Sequence, residues 1–141
     1  MAQNTHTPRG WDAAACEAWA AGQRVPAVQA TLAALNRQTT KDPRLALQAA
    51  YYLYLMDDFA SCAQVLAQQH RATPEHVEVA LNLGVTYRRL GRYTEAVTVL
   101  EQVLRLDPTH YVALDGLCIC LHHLGRDAEA AQAGTRALQL K

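Results

Sequence analysis

The sequence lacks several features that would direct an assignment of function. Aromatic residues make up only 6% of the 141 residues. No apolar run approaches the roughly 18 residues that cross a bilayer, and the first ten residues lack the apolar centre of a secretory signal. The formal net charge is zero, whereas general nucleic-acid binding requires a basic excess. These absences predict a cytoplasmic protein with no membrane insertion and no nucleic-acid partner.

Cysteine is present, but without the spacing of a disulfide framework or a metal site. The most suggestive cluster is Cys118-x-Cys120-x-His122-His123, whose sulfur and imidazole groups are zinc ligands. Residues two apart on a helix point about 200° away from each other, so only Cys118 and His122 share a face. No second cluster supplies further ligands. We expect no metal and no cofactor, with Cys118 buried as a small apolar residue.

Catalytic patterns are also missing. Nothing positions an oxyanion hole or a third orienting group beside a cysteine–histidine pair, and the phosphate-binding glycine patterns are absent. Asp57-Asp58 precedes a predicted helix and is interpreted as its cap. His70, His76 and His110 fall at segment ends and are interpreted as surface residues. We predict that the protein is not an enzyme.

An internal repeat dominates what is present. Without a gap, a shift of 34 residues aligns Leu83 with Leu117, Leu90-Gly91-Arg92 with Leu124-Gly125-Arg126, and Glu95-Ala96 with Glu129-Ala130. Such a period is typical of repeat architectures. We predict a polar lead over residues 1–7 and one domain over 8–141. Within that domain we predict a degenerate repeat over 8–42 and clear repeats over 43–76, 77–110 and 111–141.

Each repeat predicts two helices. Apolar residues recur at threes and fours from Glu78 to Leu90, and Gly91 provides the backbone freedom for a tight turn. A second helix is predicted from Tyr93 to Leu106, ending before Pro108 because proline cannot continue a helix. Turns this short produce antiparallel hairpins, and hairpins in series form a solenoid.

The pattern Ala80-x-x-Leu83-Gly84-x-x-Tyr87, followed by Ala96-x-x-x-Leu100 and Pro108, resembles the tetratricopeptide repeat (TPR) family. The resemblance implies an all-α, right-handed superhelical solenoid of antiparallel helix pairs. It also implies a concave groove, lined by the first helix of each pair, that binds a peptide or helix of another protein.

Carrying the family geometry over place by place gives a predicted partner-binding groove. It places Gln48 and Leu55 there too, and a partner with an apolar anchor and acidic residues would fit this mixed surface. For each residue the alternative is ordinary packing between helices or a solvated face. The predicted groove residues are Trp19, Leu47, Tyr51, Tyr54, Asn82, Val85, Arg88, Arg89, Ile119, His122 and His123.

One TPR subclass is disfavoured by the same comparison. TPR domains that clamp the C-terminal carboxylate of heat-shock chaperones use a set of lysines, arginine and asparagines in the groove. Only Asn82 matches that set here, while Leu47, Tyr51, Val112 and Gly116 occupy the other places. We therefore expect no such co-chaperone role.

The C-terminal helix is predicted to carry an apolar stripe (Ala130, Ala131, Ala137 and Leu138) with no cover from within the chain, although solenoids normally cap their ends. Three interpretations remain open: the N-terminal adaptor of a longer protein, a homodimer that closes the ends, or a last helix packed differently.

Two alternative functions stay open as well. One is a small TPR chaperone of secreted proteins, similar to those of type III secretion. The other is the substrate-recruiting arm of a modifying enzyme such as a glycosyl- or sulfotransferase.

Overall fold

The computed structural model describes residues 7–140, and over that range it contains eight α-helices and no strand. The predicted all-α fold class is therefore confirmed. The predicted polar lead lies outside the described residues except for Thr7, and so does Lys141. The chain divides into two compact units, one ending at Thr73 and the other beginning at Pro74.

Within the first unit, four helices pack each on the next along the chain. The core is built largely from alanine, with Tyr52 and Leu66 as its largest fully buried side chains. Gln48 is also fully buried, which is unusual for a polar side chain. The helices are α1 (Ala13–Ala20), α2 (Arg24–Arg37), α3 (Arg44–Leu55) and α4 (Phe59–Ala72).

The second unit repeats this plan with a more aliphatic core. Leu83, Leu100, Val103 and Leu114 are buried, and each helix again packs on its neighbour in the chain. The helix predicted from Tyr93 to Leu106 has those bounds. The helices are α5 (Val77–Arg89), α6 (Tyr93–Leu106), α7 (Tyr111–His123) and α8 (Asp127–Leu140).

The turn inside every helix pair has one geometry. Its residue with positive φ is Gly22, Asp57, Gly91 or Gly125, with φ between 61° and 82°. The amide of the next residue donates to a carbonyl five residues before it, at 2.8–2.9 Å in all four pairs. This hydrogen bond is the 6→1 bond of the Schellman motif, which closes a helix on a left-handed residue. The short turns fold each pair back on itself.

Side chains cap the starts of α1, α4, α5 and α7, and they are of two kinds. In the first unit, Asp12 accepts from the Ala15 amide and Asp58 from the Ser61 amide. In the second unit, Nδ1 of His76 accepts from the Val79 amide and Nδ1 of His110 from the Ala113 amide, both at 3.3 Å. The expected cap at Asp57-Asp58 is thus made by Asp58, and Asp57 is the turn residue. His76 and His110 are half-buried, and the capping role of each was not predicted from the sequence.

Helix crossings in the second unit depend on glycine. A methyl group at Gly84 would lie 2.8 Å from Leu100 Cδ2, and one at Gly116 would lie 3.2 Å from Leu100 Cδ1. Larger residues at these two sites would overpack the crossing. Cys118 lies at a further crossing, where a methyl group on Gly134 would be 3.2 Å from its sulfur. Cys118 was expected to be buried, but it is only half-buried.

The predicted uncovered stripe on α8 is only partly uncovered. Ala130 and Ala137 are buried on α8, which packs on α7, so that part of the prediction was wrong. Ala131 is exposed, and Leu138 is 72% exposed. At the places equivalent to Ala131 and Gly134, α6 has the buried residues Val97 and Leu100. The outer face of α8 therefore carries less apolar bulk than the matching face of α6.

Candidate interaction surfaces

A line of apolar side chains on α3 forms the clearest surface feature of the first unit. Leu47, Tyr51 and Leu55 are spaced four residues apart, which places them on one face of the helix. Tyr51 is 51% exposed and Leu55 is 44% exposed, and Leu47 is half-buried. We call these three residues the α3 stripe. Leu47 and Tyr51 were predicted groove residues, and Leu55 continues their line.

Aromatic rings pack beside the α3 stripe. Trp11 lies 5.7 Å from Tyr51 and 5.8 Å from Tyr52, measured between ring centroids. Trp19 stacks on Tyr52 at 4.4 Å, and the Arg24 guanidinium lies 5.1 Å from the Trp19 ring. These are favourable aromatic and cation–π distances. Trp19, a predicted groove residue, is thus half-buried and held by contacts within its own unit.

A buried polar network fixes this aromatic cluster. Gln48 Oε1 accepts from the Asp12 amide at 2.6 Å, and Gln48 Nε2 donates to the Asp12 carbonyl at 3.1 Å. Gln48 Nε2 also lies 3.3 Å from the Tyr52 hydroxyl. Placing Gln48 in the groove was therefore wrong, because it is fully buried and ties α3 to the start of α1. Burial raises the pKa of Tyr52 to about 12, so its hydroxyl stays neutral near pH 7.

Tyr54 contributes little free surface. It is half-buried and packs edge-on against Phe59 with ring centroids 5.0 Å apart. Phe59 begins α4, so this contact holds the two helices of the pair together. The packing interpretation of Tyr54 has direct support here, and its role in a groove stays a prediction.

In the second unit the predicted apolar residues differ in exposure. Asn82 and Val85 on α5 are half-buried. On α7, Ile119 is 41% exposed, as is Val112 two helical turns earlier. These exposed aliphatic side chains are separated by Gly116, which is buried against Leu100.

Basic side chains, arginine on α5 and histidine on α7, end both first helices of the second unit. Arg88 and Arg89 occupy the last turn of α5, and His122 and His123 occupy the last turn of α7. We call these four residues the basic pole. Cations at helix C-termini interact favourably with the helix dipole, which gives the basic pole a structural role independent of any partner.

The members of the basic pole have different surroundings. His123 stacks on Tyr93 with ring centroids 4.4 Å apart and an interplanar angle of 2°. His122 Nδ1 lies 3.2 Å from an Asp127 carboxylate oxygen, and both groups are exposed. Arg89 is exposed and Arg88 is half-buried. Burial raises the pKa of the Cys120 thiol on α7, and the charge of Arg88 opposes that effect.

The cysteine and histidine residues considered for zinc differ in burial. Cys120 is fully buried, whereas His122 is exposed, so the cluster considered for zinc is split between core and surface. Among residues 7–140, no group of three or more histidine, cysteine or acidic side chains is arranged to hold a metal ion. None of the eight described helices has the length and apolar character needed to cross a membrane.

Other candidate surfaces are small. A shallow depression of about 240 Å³ is lined by the loop before α5 and the end of α6, and no predicted groove residue lines it. Sequence reasoning missed the roles of Trp11 and Tyr93, because their ring contacts link residues that are far apart in the chain. It also missed the Gln48 network, which the spacing of apolar residues does not reveal.

The helix pairs, their shared turn and the exposed faces of their first helices define an all-α helical repeat protein. The tetratricopeptide repeat profile matches residues 76–141, and this part of the chain belongs to that family. The resemblance predicted from the sequence is confirmed.

Solved structures extend the likeness over most of the chain. The ArsTM double mutant of MamA RS-1 gives a TM-score of 0.81 at 18% identity, covering 91% of this chain and 71% of that one. MamA from residue 41 to the end, from Desulfovibrio magneticus RS-1, gives 0.80 at 19%, covering 91% and 72%. Another MamA crystal structure gives 0.78 at 15%, covering 89% and 73%. At these identities the likeness concerns the fold, and the predicted TPR-type solenoid class is confirmed.

No curated protein sequence matches the chain. Tetratricopeptide repeats are non-catalytic protein-interaction modules, so the family match supports the general part of the predicted function, protein–protein interaction.

Proposed function

We propose that this protein binds an extended or helical segment of another protein through the exposed faces of its first helices. The observation that carries the proposal is the α3 stripe. Two of its side chains, Tyr51 and Leu55, are about half exposed. On the opposite side of α3, the side chains of Ala46, Ala49 and Leu53 are buried. The helix is therefore apolar on two sides, and only one of them is used by the core.

An exposed apolar line of this kind favours protein binding. A helix that packs in a soluble protein normally presents a polar face to solvent, and contiguous exposed apolar groups mark interaction sites. Side chains spaced by one helical turn match the anchors of a partner helix or the alternate residues of an extended peptide. Tyrosine is also among the residues that contribute most to binding energy at interfaces.

The exposed aliphatic residues of α7 support the same proposal for the second unit. Val112 and Ile119 are both 41% exposed and lie on a first helix. The groove residues Trp19, Leu47, Tyr51, Tyr54, Asn82, Val85, Arg88, Arg89, Ile119, His122 and His123 remain the proposed set. Within it, Tyr51 and Ile119 are the side chains with the most apolar surface to offer.

Peptide selection tests the proposal directly. Short random peptides displayed on phage are selected against the full chain, and the affinity of each recovered peptide is measured. We expect Leu55→Ser to weaken binding by about tenfold, because the loss of an apolar anchor costs about 1–2 kcal/mol. Leu55 makes none of the ring contacts described above, so its replacement should leave the fold intact, which thermal unfolding verifies.

Val25→Ser is the matched control for Leu55→Ser. Val25 is 54% exposed on α2, a second helix of a pair, and its replacement should leave peptide affinity unchanged. Equal losses from Leu55→Ser and Val25→Ser would contradict the proposed surface. Recovery of no peptide at all would contradict peptide binding itself.

More specific statements about the role and the oligomeric state of the protein remain predictions. They are the adaptor of a longer protein, a chaperone of secreted proteins, the recruiting arm of a modifying enzyme, and a homodimer. Sedimentation across a range of concentrations tests the homodimer, which predicts a mass that rises to twice 15.5 kDa.

A further inference from the structure

We propose that the basic pole binds an aspartate or glutamate side chain of the partner, with the Arg88 guanidinium as its main contact. This inference rests on the proposed function and specifies the chemistry of the partner segment. It also separates two parts of that segment. An apolar anchor would meet an exposed apolar face, and an acidic residue would meet the end of α5 and α7.

The state of Arg88 is the first observation. Its Nε atom is buried and has no hydrogen-bond partner among the described residues. A buried donor without an acceptor costs about 1–3 kcal/mol, and more when it belongs to a charged group. Nε is out of reach of solvent in this conformation. When the guanidinium turns outward, a carboxylate oxygen of the partner can accept from Nε, which removes that cost and forms a charge-assisted hydrogen bond.

Other arginines of the chain show what Arg88 lacks. Arg44 is paired with Asp42, Arg92 with Glu95 and Arg126 with Glu129, each through Nε and a terminal nitrogen. The forked guanidinium matches the two oxygens of a carboxylate. Three arginines thus meet carboxylates from within the chain, and no ion pair with Arg88 is found over residues 7–140.

The charge around Arg88 selects an acidic occupant. Arg89 follows it on α5, and His122 and His123 occupy the equivalent places at the end of α7. Within this group, His122 Nδ1 lies 3.2 Å from an Asp127 carboxylate oxygen. α5, whose last turn holds Arg88, also packs against α7. A carboxylate there would meet the guanidinium groups at the end of α5 and the imidazole groups at the end of α7.

Stabilisation of helix ends is not a sufficient explanation for this arrangement. Cations in a last turn need only lie near the terminal carbonyls, as exposed Arg89 does. The dipole does not account for a guanidinium whose Nε is removed from water without a partner. An outward turn of the Arg88 side chain toward a carboxylate of another protein would give that Nε its acceptor.

The test uses the peptides recovered by the full chain. We expect aspartate and glutamate to be enriched over the input library. Each acidic peptide is remade with Glu→Gln or Asp→Asn, and both forms are measured against the wild type and Arg88→Met. Arg88→Met should weaken the acidic peptide about tenfold, since a hydrogen bond between charged groups contributes at least one factor of ten. It should leave the amide peptide unchanged.

Two further variants keep the result interpretable. Arg105→Met removes the same charge from the exposed last turn of α6, and it should have little effect on either peptide. Arg88→Lys retains the charge without the fork, and an intermediate loss is expected. The Lys variant carries the test if Arg88→Met unfolds.

Three outcomes overturn the inference while leaving the proposed function standing, provided that Leu55→Ser still weakens binding. They are recovered peptides without acidic enrichment, equal losses for acidic and amide peptides, and equal losses from Arg88→Met and Arg105→Met. An empty selection overturns both proposals.

Discussion

The two compact units use the same helix-pair plan but hold it together by different contacts. In the second unit the contacts recur with the sequence. His76 and His110 cap successive first helices with the same geometry, and the pairs Arg92–Glu95 and Arg126–Glu129 recur 34 residues apart. In the first unit the capping side chain of α1 is an aspartate, and a buried glutamine joins two helices.

This difference teaches how a degenerate repeat keeps its fold. Where successive pairs have similar sequences, the same packing recurs at each interface, and small residues packed against leucine are enough to hold the helices together. Where the sequence departs from the pattern, as in α1 and α2, individual polar and aromatic contacts replace the copied ones. The stability of the second unit should therefore depend on apolar packing, and that of the first on a few specific hydrogen bonds.

Leu100→Ala should have the largest effect on stability. Leu100 is fully buried and fills the space left by Gly84 and Gly116, so its truncation leaves a cavity between three helices. We expect the free energy of unfolding to fall by about 4 kcal/mol. Urea unfolding followed by circular dichroism measures the change.

Leu104→Ala is the control for that experiment. Leu104 lies one turn later on the same helix and is only half-buried, so its truncation should cost about half as much. A loss as large as that of Leu100→Ala would contradict the special role of the glycine-lined crossing.

Gln48→Leu should have the next largest effect. Leucine is similar in volume but leaves the Asp12 amide and carbonyl without the partners that Gln48 provides. We expect a loss of about 2 kcal/mol, because unsatisfied backbone groups cost roughly that amount when partly buried. Hydrogen exchange should show faster opening of α1 in this variant.

Asn82→Leu is the matched change in the second unit. Asn82 occupies the same place in its repeat, but it is half-buried, and no hydrogen bond of its side chain is found in the described residues. The substitution should change stability little. Equal losses of stability in Gln48→Leu and Asn82→Leu would contradict the claim that only the first unit depends on a polar side chain at this place in the repeat.

Much of the fold follows from the sequence, and the missing parts have physical reasons. Period and helix bounds were predictable because apolar spacing and the Gly91 turn are local signals, and α6 has the predicted ends. The half-exposed Tyr51 of the α3 stripe was predicted from its place in the repeat. Gln48 was wrongly placed in the groove. Its position in the repeat predicts only the direction of its side chain, whereas its burial depends on hydrogen bonds to the backbone of Asp12, 36 residues away.

The shared turn offers the smallest and most local comparison. Asp57 has a φ of 61° at the place where the other pairs have glycine. Side chains other than glycine pay about 1 kcal/mol for the left-handed region, and aspartate pays less than most. Asp57→Gly should therefore stabilise the first unit slightly, by about 0.5 kcal/mol after the added freedom of glycine in the unfolded chain is subtracted.

The reciprocal change, Gly91→Asp, should destabilise the second unit by about 1 kcal/mol for the same backbone reason. A Cβ atom at Gly91 would meet no atom within 4 Å, so no steric clash adds to the effect. Thermal unfolding of both variants measures the pair. If Asp57→Gly raises stability and Gly91→Asp lowers it, the two units share one turn and differ only in how easily the residue at that position adopts a positive φ. A loss of stability in Asp57→Gly would instead mean that the Asp57 side chain stabilises the first unit, extending its reliance on individual polar contacts to the turn.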